Sequence, residues 1–276
     1  MRTLWVFGCS FSAGLWATVA DFVALSFDRA INLAGPGQSN RYLVDRFFEL
    51  VGQGWIDPRT DHVFFQTTGW GRFGYWTESR GQWTGYGDLF GRAGERAHPY
   101  PVEAFEPRQA VYANYAALHA LALYLDSSGF RSTRVRGMDF AELWSPDLRL
   151  RLPAEDFAPV DLLERRHFAL AERPSIWHHC LDSRGGDREK MYRLQFHNGH
   201  EDAHPYIDEC YEYVRQYLPE FDGERAREFR DRCRMEFGWA SPEEQGRRYS
   251  QIRRQYGIER VTTTQNLWLV LPDSIQ

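Results

Sequence analysis

Three short apolar runs, each closed by glycine or a polar loop and the first two each followed by a helical pattern, constrain this chain more than any other feature. Thr3-Leu4-Trp5-Val6-Phe7 stops at Gly8, and Ala30-Ile31-Asn32-Leu33 stops at the loop Ala34-Gly35-Pro36-Gly37-Gln38-Ser39-Asn40. His62-Val63-Phe64-Phe65-Gln66 follows the turn Asp57-Pro58-Arg59-Thr60-Asp61. Short runs without polar alternation read as strands buried on both faces. Between them, Leu15, Trp16, Val19, Phe22, Val23 and Leu25, then Tyr42, Leu43, Phe47, Leu50 and Val51, recur at helical spacing. Strand–helix alternation of this kind predicts a parallel sheet with helices on its faces.

From Gly69 to Pro101 the periodicity disappears into a segment rich in glycine and aromatics, among them Trp70, Phe73, Tyr75, Trp76, Trp83 and Tyr86. A loop of that length is functional or mobile. Beyond it the pattern predicts a helix over Val111–Leu125, a fourth strand over Arg134–Met138 and a helix over Val160–Ala171. Two more helices follow, over Pro205–Leu218 and Glu224–Phe237. Ser241-Pro242-Glu243-Glu244 supplies an N-cap, a first-turn proline and acids for a third, which stops at Gly257. Arg260–Val270 reads as a final strand. There is no internal repeat and no low-complexity linker.

Composition bounds the partners. With 33 Lys plus Arg against 38 Asp plus Glu, the 276 residues carry a formal charge of −5. That balance argues against a nucleic-acid coat or a binder of anionic membranes. Hydrophobic residues reach 43%, enough for one large core. No stretch approaches the apolar length that crosses a bilayer, and the run before Gly8 is too short for a signal segment, so a cytoplasmic location is expected. Cys9, Cys180, Cys210 and Cys233 are scattered without a Cys-x-x-Cys pair, so neither a zinc knuckle nor a disulfide scaffold is implied.

Chemistry concentrates at two places. Ser10 lies where the first strand ends, in a Gly-containing turn expected to lead into a helix whose amides point at the same spot. Far downstream, Asp202-Ala203-His204-Pro205 offers an imidazole and a carboxylate just ahead of a helix. A hydroxyl nucleophile needs such a base, and the base needs an orienting acceptor. In a strand-to-helix turn neighbouring side chains diverge, so one of Cys9 and Ser10 faces the site.

Phe7-Gly8-Cys9-Ser10-Phe11-Ser12, Asn32-Leu33-Ala34-Gly35-Pro36-Gly37 and Asp202-Ala203-His204-Pro205, in that order, resemble successive blocks of the SGNH (GDSL-type) hydrolase superfamily. The Gly-Cys-Ser-Phe opening is similar to a divergent branch seen in phage and bacterial genomes. The resemblance covers residues 1–218, the second strand's loop and the aromatic segment 69–100 included. It implies an α/β fold: a three-layer α/β/α sandwich, flavodoxin-like, around a parallel sheet of about five strands. Residues 219–276 then form a mostly helical extension packed on that core.

The resemblance further implies Ser10 as nucleophile, His204 as general base and then acid, and Asp202 as the group that orients the imidazole. The backbone N–H groups of Ser10 and Gly37 would form the oxyanion hole. In the family an Asn after the third strand adds a third donor, whereas here Gln66-Thr67-Thr68-Gly69-Trp70-Gly71-Arg72 contains none. Losing one such donor costs about 10²–10³ in rate. Arg72 and Asn40 are the candidates to replace it, and with Trp70 and Trp76 they are the candidate substrate-binding residues.

The expected activity is that of a serine esterase or deacetylase acting on an acylated carbohydrate or small ester, with no cofactor. An acyltransferase on the same fold and a non-catalytic glycan- or protein-binding module are the alternatives. His197, His200, Asp202 and His204, with His178-His179 nearby, match no standard metal-ligand spacing and read as loop histidines. Arg247, Arg248, Arg253, Arg254 and Arg260 read as a solvated basic helix face.

Overall fold

A computed structural model of the chain describes residues 2–14, 17–69, 72–77, 82–86, 107–138, 162, 164–168, 173–186, 205–237, 242–262 and 271. The first strand, β1 (Thr3–Phe7), lies at the centre of a five-stranded, all-parallel sheet. On one side it pairs with β2 (Arg29–Asn32), and on the other with β3 (His62–Thr67). The sheet is completed by β6 (Arg131–Arg136) beside β3 and β7 (Ile258–Arg260) beside β2. A separate antiparallel hairpin joins β4 (Phe73–Thr77) to β5 (Gln82–Tyr86).

Strand alternation divides the core into two layers. Trp5, Phe7, Ile31, Val63 and Phe65 face α2 (Asn40–Gly52) and α3 (Pro107–Ser127), meeting Phe47, Leu50, Leu118 and Leu121. Leu4, Val6, Ala30 and Phe64 face the opposite way. They meet α1 (Val19–Ala24), α4 (Ile176–Ser183), α5 (Ile207–Tyr217), α6 (Glu224–Phe237) and α7 (Pro242–Gln255). Both faces of the strands are therefore covered, and the three-layer α/β/α sandwich with its helical extension is what the chain adopts. Among the described residues no helix is long and apolar enough to cross a membrane.

Several boundaries differ from the sequence pattern for identifiable reasons. Helix α1 starts at Val19 because Thr18 caps it, its backbone N–H donating to Asp21 Oδ2 at 2.8 Å and its hydroxyl accepting from the Asp21 N–H at 3.3 Å. Strand β7 begins directly after Gly257 and ends at Arg260, short of the expected Val270. It runs along β2, which is itself only four residues long, and is bracketed by Ala30 N–H donating to Gly257 O and Val261 N–H donating to Asn32 O. Residues 263–270 lie outside the described residues. The fourth strand of the pattern begins earlier than expected, at Arg131. Of the helix expected over Val160–Ala171, the structure describes Leu162 and one π-type turn, Glu164–Phe168.

Within the aromatic segment the chain forms the β4–β5 hairpin, with Trp76 opposite Trp83 and Gly74 opposite Gly85. The hairpin lies alongside α2. Arg253, expected on a solvated face, is instead buried. Its guanidinium pairs with the buried Asp21 at 2.9 Å and donates to Gly14 O at 3.1 Å. Arg247, Arg248 and Arg254 are exposed as expected.

Candidate functional site

The sheet order reverses direction at β1, since β2 lies on one side of it and β3 on the other. Such a reversal opens a crevice at the C-terminal ends of the strands, which is where open parallel sheets bind ligands. The turn Gly8-Cys9-Ser10 leaves β1 into that crevice. Gly8 is required there: a Cβ on it would stand 2.8 Å from Ser12 Oγ and 3.0 Å from Gln66 Oε1. The turn is closed by Ser12 N–H donating to Cys9 O at 2.9 Å and Ala13 N–H donating to Ser10 O at 3.2 Å. Gly35 N–H donates to Gly8 O at 3.2 Å, joining the loop after β2 to the turn after β1.

Within the turn the side chains diverge. Cys9 and Phe11 are buried in the layer that contains α1, while Ser10 keeps partial exposure. One expectation is corrected here. Helix α1 does not follow Ser10 directly but starts at Val19, so the amides beside Ser10 belong to the turn and not to a helix N-terminus. The helix end at this edge is that of α2, capped by Ser39, whose hydroxyl accepts from Tyr42 N–H at 3.2 Å.

Gln66, wholly buried at the end of β3, holds the floor of the crevice together. Its carbonyl oxygen accepts from the Ser12 hydroxyl, and its amide donates to Cys9 Sγ at 3.0 Å and Thr67 O at 3.2 Å. Gly137 lets β6 close over this amide, since a Cβ there would collide with Gln66 and with Thr67 O, 2.6 Å away. Asn32 bridges the next gap: its amide donates to Ser12 O at 2.7 Å, and its carbonyl oxygen accepts from Ala34 N–H at 3.0 Å.

Asn40, the first residue of α2, is buried and clamps Thr68 from both sides. Its amide donates to Thr68 O at 2.7 Å, and its carbonyl oxygen accepts from Thr68 N–H at 2.8 Å. Thr68 in turn accepts a 2.7 Å hydrogen bond on Oγ1 from the half-buried Arg72. The Arg72 charge acts on the Cys9 thiol. Burial pushes the Cys9 thiol up, but that guanidinium, with hydrogen bonds from the Phe11 backbone, Gln66 and Thr68, outweighs burial and leaves the thiol below its ordinary value.

Of the residues singled out by sequence, the structure brings Ser10, Gly37 and Arg72, on three adjoining loops, and Asn40, at the head of α2, to one sheet edge. Gly37, at φ +73°, forms the tip of the second loop. Trp76 lies in the hairpin strand β4. Trp70, Asp202 and His204 lie outside the described residues, as do His197 and His200.

The first described residues after His204 are firmly held. Tyr206 N–H donates to Glu209 Oε2 at 2.7 Å, and Arg184 grips both Glu209 oxygens, at 2.7 and 2.6 Å, while lying 4.8 Å over the Tyr206 ring. His179 packs edge-on against Tyr213 and Tyr217, and burial lowers its pKa despite the acids around it. Among the described residues no three His, Cys, Asp or Glu side chains converge as a metal site.

Sequence reasoning passed over Gln66, Thr68, Gly137 and the Arg184–Glu209 pair. Only Glu209 had a local signal, a carboxylate placed to reach back to the first amides of α5. The others act through contacts between distant loops. No protein-family model matches the chain, and none of the curated proteins matches it.

Proposed function

We propose that this chain is a serine hydrolase of the SGNH type, an esterase or deacetylase for an acylated carbohydrate or other small ester. Ser10 Oγ attacks the acyl carbon while His204 takes its proton, and Asp202 holds the imidazole in the required orientation. The N–H groups of Ser10 and Gly37 receive the negative charge that develops on the carbonyl oxygen. His204 returns the proton to the departing alcohol. Water, activated by the same imidazole, then releases the acid and restores Ser10. No cofactor enters these steps.

The observation that carries this reading is the placement of Ser10. It is the accessible side chain between buried Cys9 and Phe11, at the end of the central strand, where the sheet order reverses. The Gly35–Gly8 hydrogen bond supports the pairing of its loop with the loop of Gly37. Asn40 spends its side chain on both backbone groups of Thr68, so it supports the crevice wall. A fluorophosphonate probe is expected to label the wild-type protein and to leave Ser10→Ala and His204→Ala unlabelled. Equal labelling of Ser10→Ala removes Ser10 from the mechanism.

A further inference from the structure

We propose that the substrate is an anionic ester, and that Arg72 receives a carboxylate which the substrate carries near its scissile acyl bond. The inference rests on the reading of Ser10 as nucleophile and adds the chemical class of what Ser10 attacks. Its basis is a preorganised cation at the crevice rim. Arg72 starts the chain segment into β4, its own N–H donating to Gly69 O at 3.2 Å. Its guanidinium is fixed by Thr68 Oγ1, and Thr68 is itself immobilised by Asn40 at the head of α2.

A half-buried guanidinium is costly to hold unless an anion answers it. Among the described residues no carboxylate forms an ion pair with Arg72; its described partner is a neutral hydroxyl. The loop that carries Arg72 leaves β3 beside the turn that carries Ser10, since Phe7 and Phe65 are paired in the sheet, and the guanidinium's charge acts on Cys9 within that turn. One hydrogen bond of the planar fork is taken by Thr68, and the remaining N–H groups match the two oxygens of a single carboxylate. The positive end of α2, which begins at the clamping Asn40, adds to the same sign of potential.

Two p-nitrophenyl esters of equal acyl length test this, the pentanoate ending in a methyl group and the glutarate ending in a carboxylate. Wild type is expected to show the higher kcat/KM on the glutarate ester. Arg72→Gln is expected to lower the glutarate-to-pentanoate ratio about tenfold or more, the size of one charge-assisted hydrogen bond, with Arg72→Lys in between. Because the readout is a ratio, any loss of folded protein cancels. An equal fall on both esters would make Arg72 an oxyanion donor and overturn the proposal, as would an unchanged ratio.

Calorimetric titration of Ser10→Ala protein with glutarate separates this inference from the hydrolase reading. Should neither ester turn over, the hydrolase reading fails. Arg72-dependent glutarate binding would still uphold the carboxylate site, and no binding would sink it. Should the pentanoate ester turn over through Ser10 while glutarate neither binds nor is preferred, the anionic class fails and the hydrolase stands.

Discussion

Gln66 has no charge and no reactivity of its own, yet it ties the turn after β1 to the end of β3. It holds Ser12, Cys9 and Thr67 in one buried knot that Gly8 and Gly137 leave room for. Nothing in the string His62-Val63-Phe64-Phe65-Gln66 announces this, because Cys9 and Ser12 are distant in the chain and become its neighbours only when β1 and β3 pair. His62, at the other end of β3, makes the electrostatics measurable. Burial against Phe27 and Phe221, with the charges of Arg131 and Arg2 nearby, pushes its pKa down to about 4. The ring therefore stays neutral in the fold while the unfolded chain protonates near 6.5. Between those values the unfolded state binds the extra proton, so stability falls as pH drops from about 6.5 to about 4. His62→Gln, which keeps a polar partner for Thr133 Oγ1, is expected to lose less of its urea midpoint between pH 7 and pH 5 than wild type does. Parallel pH profiles for the two proteins would contradict the assignment.

The elements show which sequence signals survive folding. Strands β1, β2 and β3 were legible as apolar runs because both of their faces are covered, so polarity had no face on which to alternate. The hairpin was hidden for the opposite reason: aromatics and threonines occupy consecutive positions of β4 and β5, and neither a helical nor a two-residue period stands out. Arg253 was misread because a local run of arginines resembles a wet surface, whereas its partner Asp21 lies 232 residues away. The side chains of this pair are 4% and 0% exposed, and Tyr249 adds a 2.7 Å hydrogen bond to the same carboxylate. Removing one member of such a pair strands the other charge. Arg253→Met is expected to cost about 3–5 kcal/mol in urea denaturation. A loss under about 1 kcal/mol, the usual worth of an exposed pair, would mean that α7 is not anchored through this contact.

At the scale of the whole molecule, the fold class is readable from element alternation. Residues 219–276, expected as a mostly helical extension packed on the core, supply α6, α7 and the edge strand β7. Phe229 meets Phe22 edge-on at 5.5 Å, and Arg225 donates to Leu25 O at 3.0 Å, so α1 is covered by this segment. A chain ended at Leu218 is therefore expected to aggregate or to lose its near-UV circular dichroism, with the outer edge of β2 open and Asp21 unpaired. A fragment that stays monomeric and melts cooperatively would show that the first 218 residues stand alone.

The lateness of β7 also bears on how the protein is made. Arg29 meets its neighbour Glu259 across 230 residues of chain. While the ribosome is still extending the polypeptide, one margin of the nascent sheet has nothing to bond with and a hydrophobic helix lies bare beside it. Chaperones that shield open strand margins are thus expected to bind the growing chain until the last of these contacts emerges.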